Sequence, residues 1–306
     1  MEFGIAIPNM GPVASTALVE EAVSEAEQLG YASLWVSDHI VLPSRSASRY
    51  PYRAGGVFPL APHEPMLEPL ATLAYTAALT RRIRLGISVL IIPYRNPVLT
   101  AKMLATIDVL SGGRVILGAG IGWLEEEFIA LGADYRHRGA VTEEYLMLMR
   151  ALWQGRETTF HGRFYRVEGI WSVPRPAQGT IPVWIGGTSP AALRRAARWG
   201  DGWHGIRLSP PEVAQARQAL ATALQEQGRS LTGFTISLRC TLQVTESPLP
   251  TTRTPCTGTP EQIAADVRAY QEAGVEHLVL GPRGTTREDI RENIRRFARQ
   301  VLPRLH

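Results

Sequence analysis

Short apolar runs alternate with amphipathic segments along the whole chain. Most of the apolar runs are continuous, as is typical of strands that are buried on both faces. Residues 18–29 and 290–301 show the 3.6-residue spacing of an amphipathic helix. The predicted strands are Phe3–Ile7, Ser33–Val36, Ile83–Ile92, Val115–Gly118, Pro182–Ile185, Gly202–His204, Phe234–Val244 and His277–Leu280.

Capping signals mark where the helices between these strands begin and end. Four candidate starts place a capping side chain before a proline at the first helical position, where a missing amide hydrogen costs nothing. These starts are Asn96-Pro97, Ser189-Pro190, Ser209-Pro210 and Thr259-Pro260. Glycines that follow a helical pattern and lead into a strand predict the helix ends. They are Gly30, Gly200, Gly228 and Gly274.

The order of elements predicts an α/β fold, a (β/α)8 TIM barrel formed by one domain over residues 1–306. Eight strands that alternate with about eight helices in 306 residues match the size and order of such a barrel. The alternative is a doubly wound open sheet, which would bind a dinucleotide after its first strand. The residues there, Pro8–Pro12, do not form a G-x-G-x-x-G turn. The barrel is therefore favoured.

Two insertions interrupt this order, one after the second strand and one after the fourth. Residues 37–64 are rich in proline, serine and glycine. In a barrel this long segment lies over the C-terminal mouth, so we interpret it as a lid. Residues 158–173 predict a small hairpin insertion with Gly162 in its turn.

Composition and charge narrow the class of protein. The chain is 45% hydrophobic and 20% charged, as in a soluble globular protein, and it has only two cysteines. No apolar run approaches the roughly 20 residues of a membrane span, and the first residues do not resemble a signal peptide. A cytoplasmic location is therefore expected. The net charge of +4 and the even spread of arginines argue against nucleic-acid binding.

In a barrel, functional residues lie at the C-terminal ends of the strands. The second strand ends at Asp38 and His39, and Asp38 could orient or charge the imidazole, which is suited to proton transfer near neutral pH. The alternative is that Asp38 caps the loop and His39 packs. The sixth strand ends in Trp203-His204, an aromatic and a titratable group at the mouth, although His204 could equally be a wall residue.

Glycines follow the fourth and fifth strands. Gly118, Gly120 and Gly122 either let a flat ligand or a phosphate approach the backbone or form a tight turn. Residues 186–188 precede a helix, so their amides and the helix N-terminus form a candidate anion site. The alternative is plain capping of that helix by Ser189.

Other chemistry finds little support in the sequence. The histidines show no H-x-x-x-H or H-x-H spacing and no cysteine ligands accompany them, so no metal site is predicted. Residues 125–127 are three glutamates, which we interpret as the solvated start of a helix. The absence of a G-x-S-x-G motif argues against a serine hydrolase.

An ordered set of motifs resembles the bacterial luciferase-like flavin oxidoreductases. The resemblance runs from about residue 3 to about residue 300 and is specific because the motifs follow one another in order. The chain most resembles the branch that uses the deazaflavin coenzyme F420, and the FMN-dependent monooxygenases share the same fold. The motifs are Trp35–His39, Leu85–Leu90, Leu117–Trp123, Phe160–Tyr165, Pro182–Gly187 and Gly200–Trp203.

The resemblance implies roles by position. It places Asp38 and His39 beside the deazaflavin ring, where His39 would polarise the substrate or take its proton. It also implies a cis peptide between Ser88 and Val89, in a bulge of the third strand behind the ring. The remaining coenzyme-binding residues that it implies are Gly120, Ile121 and Gly122 along the ring and its side chain, and Gly186, Gly187 and Thr188 at its phosphate.

Trp123 departs from the pattern of the family's sugar-phosphate dehydrogenases, which carry a glutamate proton donor at this position. Tryptophan cannot donate that proton, so the oxidation of glucose-6-phosphate is disfavoured and a more apolar substrate pocket is implied. The residues expected to line this pocket are Tyr50, Trp123, Trp203 and His204.

The resemblance thus implies an F420-dependent oxidoreductase that transfers a hydride between C5 of the coenzyme and a small, apolar organic substrate. One alternative is an FMN-dependent monooxygenase that uses O2 and reduced flavin from a separate reductase. A second is a non-catalytic flavin-binding barrel, against which His39 argues. A homodimer is also implied, formed through the helices that follow the second and third strands.

Overall fold

The computed structural model describes residues 1–53 and 55–305. Ala54, in the predicted lid, and His306, at the end of the predicted domain, lie outside the described residues. The strands are β1 (Glu2–Ala6), β2 (Ser33–Val36), β3 (Arg84–Ile91), β4 (Val115–Gly120), β5 (Thr158–His161), β6 (Arg166–Ile170), β7 (Val183–Gly186), β8 (Gly202–Ile206), β9 (Thr235–Val244), β10 (Thr257–Gly258) and β11 (His277–Pro282).

Helices cover the outside of the sheet. The α-helices are α1 (Thr16–Gln28), α2 (Pro69–Leu79), α3 (Pro97–Ser111), α4 (Glu125–Ala130), α5 (Arg138–Leu152), α6 (Pro190–Trp199), α7 (Pro210–Glu226), α8 (Pro260–Glu272) and α9 (Arg287–Arg296). The shorter helical turns are Ile92–Tyr94, Phe297–Val301 and Leu302–Leu305. Within the described residues, no helix is both long enough and apolar enough to cross a membrane.

Eight parallel strands close into a barrel, which confirms the predicted fold. The strands follow one another in the order β1, β2, β3, β4, β7, β8, β9 and β11. The pairing of β11 with β1 closes the ring. Each of the eight predicted strands overlaps a strand of this barrel. Parallel closure places the C-terminal ends of all eight strands on one rim.

The two predicted insertions are also present. The antiparallel hairpin of β5 and β6 has Gly162 in its turn, where the glycine amide donates to the carbonyl of Tyr165 at 2.9 Å. The segment between β2 and α2 contains no helix or strand in its described residues. We call residues 37–64 the lid segment.

The helix caps lie where the sequence predicts them, but the glycine that ends α6 is required for a different reason from the one predicted. Asn96 accepts hydrogen bonds from the first amides of α3, and Thr259 and Gln262 form a capping box at α8. Gly200 ends α6 as predicted, but its φ is −92°, so it is not in the left-handed conformation. A Cβ at Gly200 would lie 2.8 Å from the carbonyl oxygens of Ala196 and Gly202. Crowding therefore explains this glycine.

Trp35 fills the interior of the barrel. Its side chain is fully buried and stacks on Trp184, with ring centroids 5.3 Å apart, and on His204 at 5.0 Å. Room for the indole depends on Gly86, because a Cβ there would lie 2.5 Å from Cδ2 of Trp35. A separate and larger apolar core lies between the strands and the surrounding helices.

We expect Gly86→Ala to lower the free energy of unfolding by about 1–3 kcal/mol, because an added methyl group overpacks the interior around Trp35. Denaturant and thermal unfolding would measure the loss. Gly281→Ala is the matched control, since its Cβ would meet no atom closer than 3.4 Å. Equal stability of Gly86→Ala and the wild type would contradict this packing argument.

Candidate active site

Asp38 lies at the rim but contacts a different partner from the one predicted. Its carboxylate accepts hydrogen bonds from both terminal nitrogens of Arg95, at 2.6 and 2.7 Å, and from the amide of Ile91 at 2.7 Å. Burial raises the pKa of Asp38, and the Arg95 guanidinium opposes that rise. Asp38 therefore holds the end of β2 against the segment after β3, and the prediction that it orients His39 is wrong.

The carboxylate that orients His39 belongs to Glu127. Nδ1 of His39 lies 2.8 Å from Oε2 of Glu127, and both side chains are buried. The other carboxylate oxygen accepts from the amides of Ile40 and Val41, at 2.6 and 3.2 Å. Glu127 was expected on a solvated helix face, so that interpretation is corrected. A signal was available in the sequence, because a helix places residue 127 on the same face as the apolar residues Leu124 and Leu131.

This pairing defines what the imidazole can do. A carboxylate oxygen can only accept a hydrogen bond from a neutral imidazole. Nδ1 of His39 therefore carries the hydrogen and donates to Glu127, and Nε2 carries the lone pair. Nε2 has no hydrogen-bond partner within residues 1–53 and 55–305. His39 is thus held in one orientation and tautomer, with one nitrogen free for proton transfer.

Aromatic side chains of the lid segment and of the loop after β4 pack against His39. Its ring centroid lies 4.9 Å from that of Phe58 and 5.9 Å from that of Trp123. Tyr50 packs against both of these rings, at 5.0 and 5.2 Å. Tyr50 and Trp123 therefore lie together as expected for an apolar wall, and Phe58 is an additional member. We call these three residues the aromatic wall.

Trp203 does not belong to this wall. It is fully buried in the core between strands and helices, and its indole nitrogen donates to the carbonyl of Gly187 at 2.7 Å. Successive side chains along β8 point to opposite faces, so Trp203 faces the helices and its neighbour His204 faces the interior of the barrel. The prediction that Trp203 lines the substrate pocket is therefore wrong.

His204 lies one layer below the rim rather than at the mouth. It is 2% exposed, and its two ring nitrogens lie 2.8 Å from Oγ of Ser88 and 2.9 Å from Oγ of Ser237. Burial lowers the pKa of His204 to about 3, with a further lowering from Arg239. The imidazole is therefore neutral near pH 7 and supports Ser88 from beneath. It is a support rather than the pocket residue that was expected.

The predicted irregularity of β3 is present. The peptide between Ser88 and Val89 is cis, which confirms that prediction, and the register with β4 shifts between Ile87 and Leu90. Val89 explains two of the nearby glycines. A Cβ at Gly120 would overlap Cγ2 of Val89, and one at Gly186 would lie 2.9 Å from Cγ1. These glycines make room for the bulge.

Gly122 and Gly187, farther along the two loops, are explained by local backbone conformation and packing rather than by contact with Val89. Gly122 has a φ of +77°, and a Cβ there would lie 2.6 Å from Phe128, so it serves a tight turn next to the half-buried Ile121. Gly187 also has a left-handed φ, +104°, which a substituted side chain would rarely adopt. Close approach of a ligand is therefore not needed to explain either glycine.

The loop before α6 retains free hydrogen-bond donors. Ser189 caps the helix by accepting from the amide of Ala192 at 3.2 Å. The amides of Gly187 and Thr188 donate to no acceptor in the described part of the chain, and Thr188 is exposed. Free amides beside a helix N-terminus suit a phosphate, so capping by Ser189 and anion binding are compatible here.

Arg239 enters the site from β9, a residue that the sequence did not single out. Its Nη1 donates to Oγ of Ser37 at 2.8 Å and to the carbonyl of Ser88 at 3.1 Å. Burial lowers the pKa of Arg239 to about 10. With 31 arginines spread along the sequence, no local pattern distinguishes this one.

The two other glutamates of the predicted acidic cluster also have distinct environments. Glu125 is exposed, whereas Oε1 of Glu126 accepts from the amides of Ala47 and Ser48, at 2.6 and 3.2 Å. Burial opposes ionisation of Glu126, but hydrogen bonds from the Ser48 side chain and from these backbone amides lower its pKa to about 2. Helix α4 thus contacts the base of the lid segment through Glu127 and its middle through Glu126.

Within the described residues, no three His, Cys, Asp or Glu side chains form a group that could hold a metal ion.

Comparisons with known proteins agree with this architecture. The model of the family described as luciferase-like monooxygenase matches residues 1–249. An uncharacterized protein of Mycobacterium bovis is 34% identical over 69% of this chain and 76% of its own length. An F420-dependent glucose-6-phosphate dehydrogenase of Amycolatopsis mediterranei is 29% identical over 94% of both chains. The crystal structure of the monooxygenase RslO1 from Streptomyces bottropensis superposes with a TM-score of 0.81, at 22% identity and with full coverage of both chains.

The geometry predicts that Glu127→Gln loosens the lid segment. The amide cannot accept from His39 and from both backbone amides as a carboxylate does, and hydrogen bonds to charged groups contribute about 1.5–3 kcal/mol each. We expect trypsin to cleave after Arg45, Arg49 and Arg53 at least about tenfold faster than in the wild type, since cleavage requires local opening. Limited proteolysis with mass spectrometry would measure the rates.

Glu125→Gln is the matched control, because it removes a neighbouring charge from an exposed side chain. If both variants were cleaved at the same rate, the contact between Glu127 and the base of the lid segment would not restrain the segment.

Proposed function

Because the chain belongs to the luciferase-like monooxygenase family, we propose that it transfers a hydride between the coenzyme F420 and a small organic substrate. Members of this family are oxidoreductases or monooxygenases, and the chain is an enzyme of this class. The observation that carries the proposal is the His39–Glu127 pair, which leaves Nε2 free beside the aromatic wall and near the bulge of β3.

Two observations support F420 as the coenzyme. The relative from Amycolatopsis mediterranei, which spans nearly the whole chain, is named for its dependence on F420. The free amides of Gly187 and Thr188, beside the N-terminus of α6, suit the phosphate that this coenzyme carries. When bound, F420 supplies two-electron hydride transfer at C5 of its ring.

The residues of the chain supply position and proton transfer. Glu127 fixes the orientation of His39. Nε2 of His39 then takes a proton from the substrate during oxidation or returns it during reduction. Tyr50, Phe58 and Trp123 exclude water from this position and present an apolar surface to the substrate. His204 and Arg239 hold the bulge from beneath.

Trp123 argues against glucose-6-phosphate as the substrate. Its ring packs on Tyr50 and Phe58 and offers no carboxyl group for proton donation. His39 is therefore the imidazole that is available for proton transfer beside the aromatic wall in the described residues. This arrangement favours a reaction that moves a single proton together with the hydride, such as the interconversion of an alcohol and a carbonyl compound.

The second candidate function is an FMN-dependent monooxygenase that receives reduced flavin from a separate reductase. The description of the family and the fold match to RslO1 favour this alternative. FMN also carries a phosphate, so the loop before α6 does not separate the two coenzymes.

Titration of the purified protein with F420 and with FMN, followed by tryptophan fluorescence, tests the coenzyme. We expect F420 to bind at least about tenfold more tightly than FMN. Thr188→Asp places a negative charge at the N-terminus of α6, so it would weaken F420 binding by about tenfold or more without a loss of thermal stability, because such a charge favours the helix.

Ser15→Asp is the control, since it adds the same charge at the N-terminus of α1. Tighter binding of FMN would support the monooxygenase instead. Unchanged F420 affinity in Thr188→Asp would place the phosphate elsewhere.

His39→Ala tests the proton-transfer group. We expect its coenzyme dissociation constant to stay within about twofold of the wild type and its turnover to fall by about 10² or more, the usual loss for a positioned acid or base. F420 absorbance with a panel of alcohols and ketones would measure turnover, and fluorescence would measure binding. A variant that lost coenzyme but kept the wild-type rate per bound coenzyme would instead show that His39 is a packing residue.

A further inference from the structure

Two arginines at the rim of the barrel have no carboxylate partner among the described residues. Asp38 is paired with Arg95, and Glu127 is paired with His39. Arg207 directly follows β8, and Arg239 lies within the neighbouring strand β9, level with the end of β8, where Ile206 pairs with it. Neither arginine has a carboxylate within 4.0 Å in the described part of the chain. Both guanidinium groups are therefore available to pair with an anion from outside the protein.

Arg239 is built into the site but keeps unused donors. Only its Nη1 makes hydrogen bonds to described residues, with Ser37 and Ser88. The side chain is half-buried, so solvent and a ligand can reach it. Burial disfavours its charge, Tyr50 has the opposite effect, and Arg207 adds repulsion, which together lower its pKa. A desolvated cation of this kind is stabilised when an anion pairs with it.

Arg207 supplies the second guanidinium, close enough to Arg239 for the two positive charges to repel each other. Its φ of 55° is uncommon for a residue with a side chain, and its amide donates to the carbonyl of Arg239 at 2.9 Å. Its Nη1 donates to the carbonyl of Tyr52 in the lid segment at 3.2 Å. The exposed Arg207 therefore lies at the edge of the lid segment, and Arg239 lies deeper on the neighbouring strand.

We propose that Arg207 and Arg239 bind an anionic group of the substrate, a carboxylate or a phosphate ester, and that the apolar body of the same substrate packs on the aromatic wall. The planar guanidinium offers paired donors that match both kinds of anion. This inference rests on the proposed function for the identity of the site and adds the substrate class.

The surroundings favour the substrate rather than the coenzyme as the source of the anion. The free amides of Gly187 and Thr188 on another loop already suit the coenzyme phosphate. Both arginines, in contrast, are close to the lid segment, through Tyr50 for Arg239 and through Tyr52 for Arg207. Tyr50 is also part of the aromatic wall around His39. An anion held here would place an attached carbon skeleton next to the free Nε2 of His39.

The test uses small probes whose charge can be changed at nearly constant shape. Benzoate and phenyl phosphate are the anionic probes, and benzamide is the neutral one. Their binding to the coenzyme-free protein and to the protein with F420 would be followed by the fluorescence of Trp123 and the other tryptophans. We expect the preferred anion to bind at least about tenfold more tightly than benzamide, and the tighter of the two anions identifies the substrate group.

The variants are Arg207→Gln, Arg239→Gln and Arg239→Lys, with Arg166→Gln on the exposed hairpin as the matched control. We expect each glutamine variant to weaken the binding of the anionic probe by at least about tenfold. The affinity for benzamide should stay within about twofold of the wild-type value. Arg239→Lys keeps the charge and should retain part of the affinity, which covers the case in which Arg239→Gln does not fold. The control should bind all probes as the wild type does.

Three results with the variants would overturn the inference. The first is equal affinity of the wild type and the arginine variants for the anions. The second is loss of F420 binding in Arg239→Gln by as large a factor as the loss of probe binding, which would assign the arginine to the coenzyme. The third is loss of phenyl phosphate binding in Thr188→Asp but not in the arginine variants. Probe binding without F420 binding would contradict the proposed function alone, and F420 binding without probe binding would contradict this inference alone.

Discussion

The closed parallel ladder from β1 to β11 places the C-terminal ends of eight strands on one rim, and each candidate functional group depends on this closure. The interior of an eight-stranded barrel is only wide enough for side chains to fill it. Here Trp35 and Trp184 stack within it, and Gly86 provides the space for the indole of Trp35. Because the interior is packed, a ligand can approach only above it, at the rim.

The packed interior also supports the rim from below. Trp35 stacks on His204, and His204 in turn contacts Ser88 in the bulge of β3. Since burial keeps His204 neutral, the imidazole can hydrogen-bond to two serines without introducing a buried charge. Arg239 contacts the same serine from β9. The bulge is therefore held by groups from β8 and β9, with Trp35 of β2 packed behind His204, as the proposed role in supporting a flat coenzyme ring would require.

Helix α4 links the lid segment to His39, the proposed proton-transfer group. Glu127 contacts both His39 and the first residues of the lid segment, and the adjacent Glu126 contacts Ala47 and Ser48 farther along it. Opening of the lid segment therefore disturbs hydrogen bonds that also position His39. Because its pKa is lowered to about 2, Glu126 remains ionised at mildly acidic pH, and its contacts with the lid segment persist there.

The sequence by itself determined the features that depend on neighbouring residues. Continuous apolar runs identified the eight barrel strands, and capping pairs such as Asn96-Pro97 located helix starts, because both signals are local. The family motifs correctly indicated the cis peptide after Ser88 and that Tyr50 and Trp123 lie together.

Only the tertiary structure decided which charged groups meet. Glu127 is 88 residues from His39, and Arg239 is 202 residues from Ser37, so no local pattern could pair them. Asp38, the sequence neighbour of His39, is instead neutralised by Arg95, 57 residues away. Adjacent strand residues face opposite sides, which separated Trp203 from His204. Long-range closure of the barrel thus selected the partners, whereas local propensity selected only the elements that carry them.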